Sequence, residues 1–245
     1  MTAVAQPAAS RRTVGVLRGA LWRHPELPWA IAVVSSWVAL GAWHWADHDS
    51  AAPLSWRFDA GSWTLMVVAM MVAGTLPMVR RLAFGSLWRR RHRNTALFTA
   101  AYVGVWVALG VGAALAIAGI EAVGGLTFNP GRGSVAVTVL MAAAWQFTAT
   151  KRRALRRCHL ARPVAARGRA ADRSVIAFGL YHARACAWSC GPMMLAMFVA
   201  AHDFHLMAPL AAVSLVERYQ TRPTERLGGV ALVVVAALTA FTVGV

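Results

Sequence analysis

The chain has 245 residues, 58% of them apolar and 14% charged, yet it carries a net charge of +16. A soluble domain is about 45–50% apolar and about 25% charged, so this balance excludes most soluble enzymes, and three cysteines exclude a disulfide scaffold. Greasiness and strong basicity coexist when the apolar side chains meet lipid and the charges sit in connections.

Residues 1–26 form a basic arm with Arg11, Arg12, Arg18 and Arg23. It has no apolar h-region and no small-residue cleavage site, so it reads as a cytoplasmic arm rather than a removed leader. Val14, Leu17 and Leu21 fall on one face at helical spacing, which suits a segment lying on the membrane surface. From Leu27 onward there are seven apolar runs, judged against the roughly 20 residues a spanning helix needs. They are Leu27–Ala46, Trp63–Val79, Ala96–Ile120, Gly133–Thr150, Val175–Ala201, Leu206–Val216 and Leu227–Val245. The sixth is short. No repeat of solenoid length occurs. The expected fold is all-α, with residues 27–245 forming one transmembrane bundle of about seven helices.

The basic residues choose the orientation. Apart from Arg57, Arg132 and Arg184, they fall in the arm, in Arg80–Arg93, in Lys151–Arg173, and at Arg218, Arg222 and Arg226. Alternate connections are therefore basic, which places the N-terminus in the cytoplasm and the C-terminus outside, with the sixth segment crossing. Each basic run abuts a span, so lipid headgroups are the expected partner and nucleic acid is not.

Ionisable and soft side chains inside spans are site candidates. The first run ends in WHWADHDS, where His44, Asp47 and His48 share one helical turn. His202, Asp203 and His205 occupy the turn between runs five and six, so the two groups form a possible outer site for Cu(II) or Zn(II). The blander reading is polar capping of short outer loops. The second run holds Met66, Met70, Met71 and Met78 around Pro77, with Met70 or Met71 expected to face the fifth run. Gln146 is expected to bond a neighbouring helix. Cys158 and His159 lie in an arginine-rich cytoplasmic loop, where the thiol reads either as a point that receives or hands over a soft metal or, more commonly, as a plain reduced cytosolic cysteine.

The fifth run carries His182, Cys186, Cys190 and Met194 at steps of four. This stripe spans about 18 Å, too long for one ion. Cys186 and Cys190 are the expected core ligands, with His182, Met193, Met194 and Met70 around them; copper is favoured and zinc allowed. Otherwise these are small buried hydrophobes and packing methionines. A helical i, i+4 disulfide has poorly aimed Cβ atoms. Pro192 removes the hydrogen bond to the Trp188 carbonyl and frees that oxygen. Glu217 is expected to pair with Arg218 or with the Arg152–Arg157 run. No Walker loop, paired intramembrane carboxylates or H-E-x-x-H occurs.

Four stretches resemble the bacterial DUF2182 family of predicted metal-binding integral membrane proteins. SWTLMVVAMM at Ser62–Met71 is similar to its W-x2-M-x2-AMM helix. Gln146 with Lys151, Leu155, Cys158 and Pro163 is similar to its Q…K…C-L…P stretch. GLYHARACAWSCGPMMLAM at Gly179–Met197 is similar to its G-L…C-x-G-x-C…M helix, and Glu217-Arg218 to its closing acidic-basic pair. The family's first loop cysteine aligns with Ala154, which leaves Cys158 alone in that loop. The resemblance implies metal binding in a multi-pass bacterial inner-membrane protein. The leading expectation is a protein that binds a soft metal for transport or delivery, with a metallochaperone or a membrane protein as partner. A membrane redox enzyme or subunit using the cysteine pair, and an accessory structural subunit, are the other readings.

Overall fold

The computed structural model describes residues 22–48, 59–125, 132–200, 203–220 and 229–235, with Gly19, Phe128 and Leu238. The described residues are helical and contain no strand. Val14, Leu17 and Leu21 of the arm, and most of the run Leu227–Val245, lie outside them.

Helix α1 spans Leu27–His48. The second apolar run is not one regular helix. It comprises α2 (Ala60–Met66), a π-helical segment Val67–Val72, a 3-10 turn Ala73–Thr75, and α3 (Leu76–Phe84). Asp59 caps its start, accepting from the Ser62 amide at 2.5 Å. Pro77 has no N–H for the Ala73 carbonyl, so the regular ladder cannot continue through that turn. After a 3-10 turn at Trp88–Arg90, α4 runs from Arg91 to Gly124. It stops at Gly125, whose φ of 61° is a left-handed conformation that costs a β-carbon-bearing residue energy.

The fourth run ends sooner than its hydropathy suggests. Helix α5 (Arg132–Gln146) is followed by α6 (Ala149–Cys158) at a bend of 77°. Thr148 makes the break: its backbone is extended and its hydroxyl accepts from the Lys151 amide at 3.2 Å. Helix α7 covers Gly168–Val199 and so begins before Val175. Asp203 accepts from the Leu206 amide at 2.9 Å and starts α8 (Phe204–Tyr219).

Three stretches are long and apolar enough to cross a membrane: Leu27–Ala46, Ala60–Phe84 and Trp88–Gly124; a fourth is added if α5 and α6 are one bent span. Helix α7 is long enough, but His182, Arg184, Ser189 and Pro192 dilute its apolar character. Helix α8, at 16 residues, is short. The Trp88–Gly124 stretch has a mean hydropathy of 2.2, and 11% of its most apolar window is covered by protein. Leu115, Ile120 and Val123 on it are exposed. A helix apolar all round and left uncovered requires an apolar solvent, which is compatible with a membrane protein.

Helix α7 is the centre of the molecule, packed on α4, α5 and α6. Gly179 permits its close approach to α4, since a β-carbon there would stand 2.7 Å from the Phe98 carbonyl oxygen. Contacts also sort the helix ends. Arg80 reaches Glu26 at 3.4 Å, Asp172 pairs with Arg90 and Arg93, and Lys151 with Glu217, so the basic connections gather at one end. At the other end His44 of α1 meets His205 of α8.

Candidate metal centre

Cys186 and Cys190 lie one turn apart on α7, both fully buried, and both are free thiols. Around them stand the broken second run, α4 and α8. The Cys186 sulfur is 2.9 Å from the Tyr102 hydroxyl and 3.9 Å from the Met71 sulfur. The Cys190 sulfur is 3.5 Å from the Ser189 hydroxyl and 3.6 Å from that of Ser214. Ser189 donates its proton to the Cys186 carbonyl at 3.0 Å, which leaves its oxygen free to accept from a thiol.

Arg218 of α8 enters this group of sulfurs. Its Nη2 donates to the Cys186 sulfur and lies 3.4 Å from the Cys190 sulfur and 3.7 Å from the Met71 sulfur. Its Nη1 lies 3.4 Å from both the Met71 carbonyl and the Tyr102 hydroxyl. The residue is 6% exposed. Gly74 makes the room, since a β-carbon there would collide with the Arg218 side chain. The neighbouring carboxylate is not its partner. Glu217 is bound to Lys151 at 2.7 Å, in a buried ion pair. Lys151 and Arg218, both read from sequence as connection residues, are thus buried. Glu217 pairs with neither Arg218 nor the arginine run.

The irregular second run places Met71. A π-helical turn leaves carbonyls without regular partners and is frequent at functional sites. Here the orphan oxygens are answered from other helices. Trp37 of α1 donates to the Ala69 carbonyl at 3.2 Å, Tyr102 and Arg218 approach that of Met71, and Tyr219 donates to that of Ala73 at 3.0 Å. The last is the oxygen Pro77 leaves open. The carbonyl freed by Pro192 is filled in the same way, by the Trp145 indole at 3.0 Å from the Trp188 oxygen.

Other residues singled out by sequence occupy different places. Met70 and Met194 are buried in the surrounding core, and Met71 is the methionine beside the thiols. The Met193 sulfur faces the Gln146 amide at 3.9 Å. His182, 3% exposed, packs among the rings of Phe98, Tyr102 and Phe178, and neither ring nitrogen has a hydrogen-bond partner. Cys158, expected in an open loop, is buried with its sulfur 3.8 Å from the Ser189 hydroxyl. At the opposite end the His44 and His205 Nε2 atoms are 3.3 Å apart, while the Asp203 carboxylate caps α8. His202 and the side chains of Asp47 and His48 lie outside the described residues. Among the described residues no three His, Cys, Asp or Glu side chains converge on one point.

Sequence reasoning missed Arg218, Tyr102 and Ser214. Arg218 was hidden because it adds to the alternating basic pattern, although its place beside Glu217 at the end of an apolar run was a signal. Two thiols and a thioether form a soft donor set of the kind Cu(I) prefers, and a buried cation stands beside them. No curated protein and no solved structure matches the chain. A family model described as PpoB2, copper chaperone, matches residues 60–240, a stretch that includes every residue of the sulfur centre. With about three-quarters of its length matched, the chain belongs to the PpoB2 copper chaperone family, and its function is related to copper.

Proposed function

We propose that this protein is a multi-pass membrane copper chaperone that holds Cu(I) between Cys186 and Cys190. Met71 is the flanking soft donor and Arg218 the counter-charge. The observation that carries this is the buried guanidinium directed at three sulfurs while the adjacent carboxylate is committed elsewhere. A buried cation without a counter-ion is costly. Two thiolates binding one Cu(I) make a unit of charge −1, and Arg218 brings the centre to neutrality. Zinc requires four N, O or S ligands in its structural sites and three protein ligands in its catalytic ones, a poorer match to two thiols and a thioether.

Seven crossings with a cytoplasmic N-terminus fit the same picture. The alternating basic connections support this, as does the gathering of those connections at one end of the bundle, opposite the His44–His205 pair. The bacterial character of the family it resembles supports the cytoplasmic membrane as its place. Delivery to a membrane or external acceptor, with headgroups around the basic end, is the corresponding role.

Elemental analysis of detergent-purified protein tests the copper reading. One copper per chain is expected for the wild type and about a tenth of that or less for Cys186→Ala/Cys190→Ala, because both strong ligands are gone. X-ray absorption should show sulfur scattering that the variant lacks. A wild type without copper, whose variant differs only in thiol trapping, would replace this reading with redox chemistry at the pair.

A further inference from the structure

We propose that copper enters the buried centre through the cleft beside α6 as an anionic Cu(I)–thiolate complex of a small carrier, with Cys158 as its first protein ligand. This rests on the reading of Cys186 and Cys190 given above. The cleft holds about 230 Å³ and is lined by Arg81 at the basic end and by Arg218, whose guanidinium touches the sulfur centre. Cys158, His182 and Met78 supply soft or borderline donors to its walls, and Arg81 and Arg218 supply charge. Among the described residues no carboxylate lines it.

That charge selects the form of the cargo. A cleft lined by one sign of charge concentrates ligands of the opposite sign and repels those of its own. A bare or solvated Cu(I) cation is disfavoured there, whereas a bis-thiolate complex, of net negative charge, is drawn in. His182 gives an independent sign of a ligand in the cleft. Both its nitrogens are buried without a hydrogen-bond partner, a costly arrangement for a polar ring unless something binds there.

From Cys158 the path inward is short. Its sulfur lies 3.8 Å from the Ser189 hydroxyl, which lies 3.5 Å from the Cys190 sulfur. In the first exchange a copper–sulfur bond to Cys158 forms as one bond to a carrier thiolate breaks. The Cys158 proton passes to that departing thiolate. In the second exchange a bond to Cys190 forms as the bond to Cys158 breaks, and the Cys190 proton passes to Cys158. In the third a bond to Cys186 forms as the remaining carrier thiolate departs with the Cys186 proton. Copper stays Cu(I) throughout, so no oxidant or reductant takes part.

The test is stopped-flow loading of full-length protein in detergent, followed by thiolate-to-copper charge-transfer absorbance. Copper is offered as the anionic bis-glutathione complex or as the cationic acetonitrile complex. Cys158→Ser should retain the wild-type copper content at equilibrium but load from glutathione roughly tenfold more slowly. Arg81→Glu, at an exposed position, should slow loading from glutathione roughly tenfold and leave loading from acetonitrile undiminished, with the difference fading as salt rises. Wild-type loading rates in Cys158→Ser, or equal slowing of both donors by Arg81→Glu, would overturn the entry route while leaving the buried site standing. A wild type that takes copper from neither donor would overturn the buried site and the route together.

Discussion

Arg218 places a full charge among sulfur atoms, and after the two thiols it is the residue on which copper retention should depend most. Arg218→Leu keeps bulk but leaves the bis-thiolate unit uncompensated. Cu(I) affinity, read by competition with a chromogenic chelator, should fall roughly 10- to 100-fold, the scale seen when a partner just outside the ligand shell is lost. Arg218→Lys restores charge but not the planar fork that reaches the sulfurs and the Met71 carbonyl together, so it should recover only part of that loss. The methionines offer a sharper contrast. Leucine is close to methionine in volume, so Met70→Leu and Met71→Leu should cost little stability. Only Met71→Leu should weaken copper binding, because its sulfur is the one beside Cys186. Equal effects of the two would remove Met71 from the ligand set.

At the scale of elements, the second run shows how backbone irregularity is held in place. Its orphan carbonyls are filled by Trp37, Tyr102, Arg218 and Tyr219, contributed by three different helices. Tyr219→Phe strips the partner from the Ala73 oxygen, and an unsatisfied buried acceptor costs about 1–3 kcal/mol. The expected outcome is a lower thermal unfolding midpoint in detergent, with copper content unchanged once folded. Pro192 made the freed Trp188 carbonyl legible in the sequence, whereas Pro77 was an equal signal that the reading of Trp63–Val79 as one run left unused. What filled those oxygens was not legible, because partners distant in sequence supply them. Of Met70 and Met71, both open in the sequence, the π-helical segment puts the Met71 sulfur beside Cys186, a choice that a regular 3.6-residue period cannot make. Cys186 and Cys190 were readable because both lie on one helix. Arg218 was not, because only the packing of α8 brings it to them.

For the molecule as a whole, contacts gather basic connections at one end, and the His44–His205 pair lies at the other. Asp172 bridges two basic connections. Its hydrogen bond from Arg93, with Arg90 alongside, holds its carboxyl below the usual range. A carboxylate whose folded value is depressed contributes stability above its unfolded value and loses it as pH falls through the folded one. Asp172→Asn should therefore be less stable than wild type at neutral pH, and the difference should close on acidification below about pH 4, where both titrate. Unfolding midpoints across that range measure it. Orientation is checked separately. A phosphatase reporter active only outside the cytoplasm should be active when fused after Val245 and silent when fused after Arg162. Activity in the reverse sense would invert the topology.

That Arg218 and Glu217 follow Lys151 and the three cysteines in sequence has a consequence for biogenesis. The ribosome delivers Lys151, Cys158, Cys186 and Cys190 before either α8 residue emerges. Until α8 inserts, Lys151 lacks its carboxylate and the thiols lack their cation. Assembly of the sulfur centre and neutralisation of Lys151 are then the same late event. A nascent chain in which α8 has not yet packed has no complete centre, so on the copper reading metal capture waits for α8.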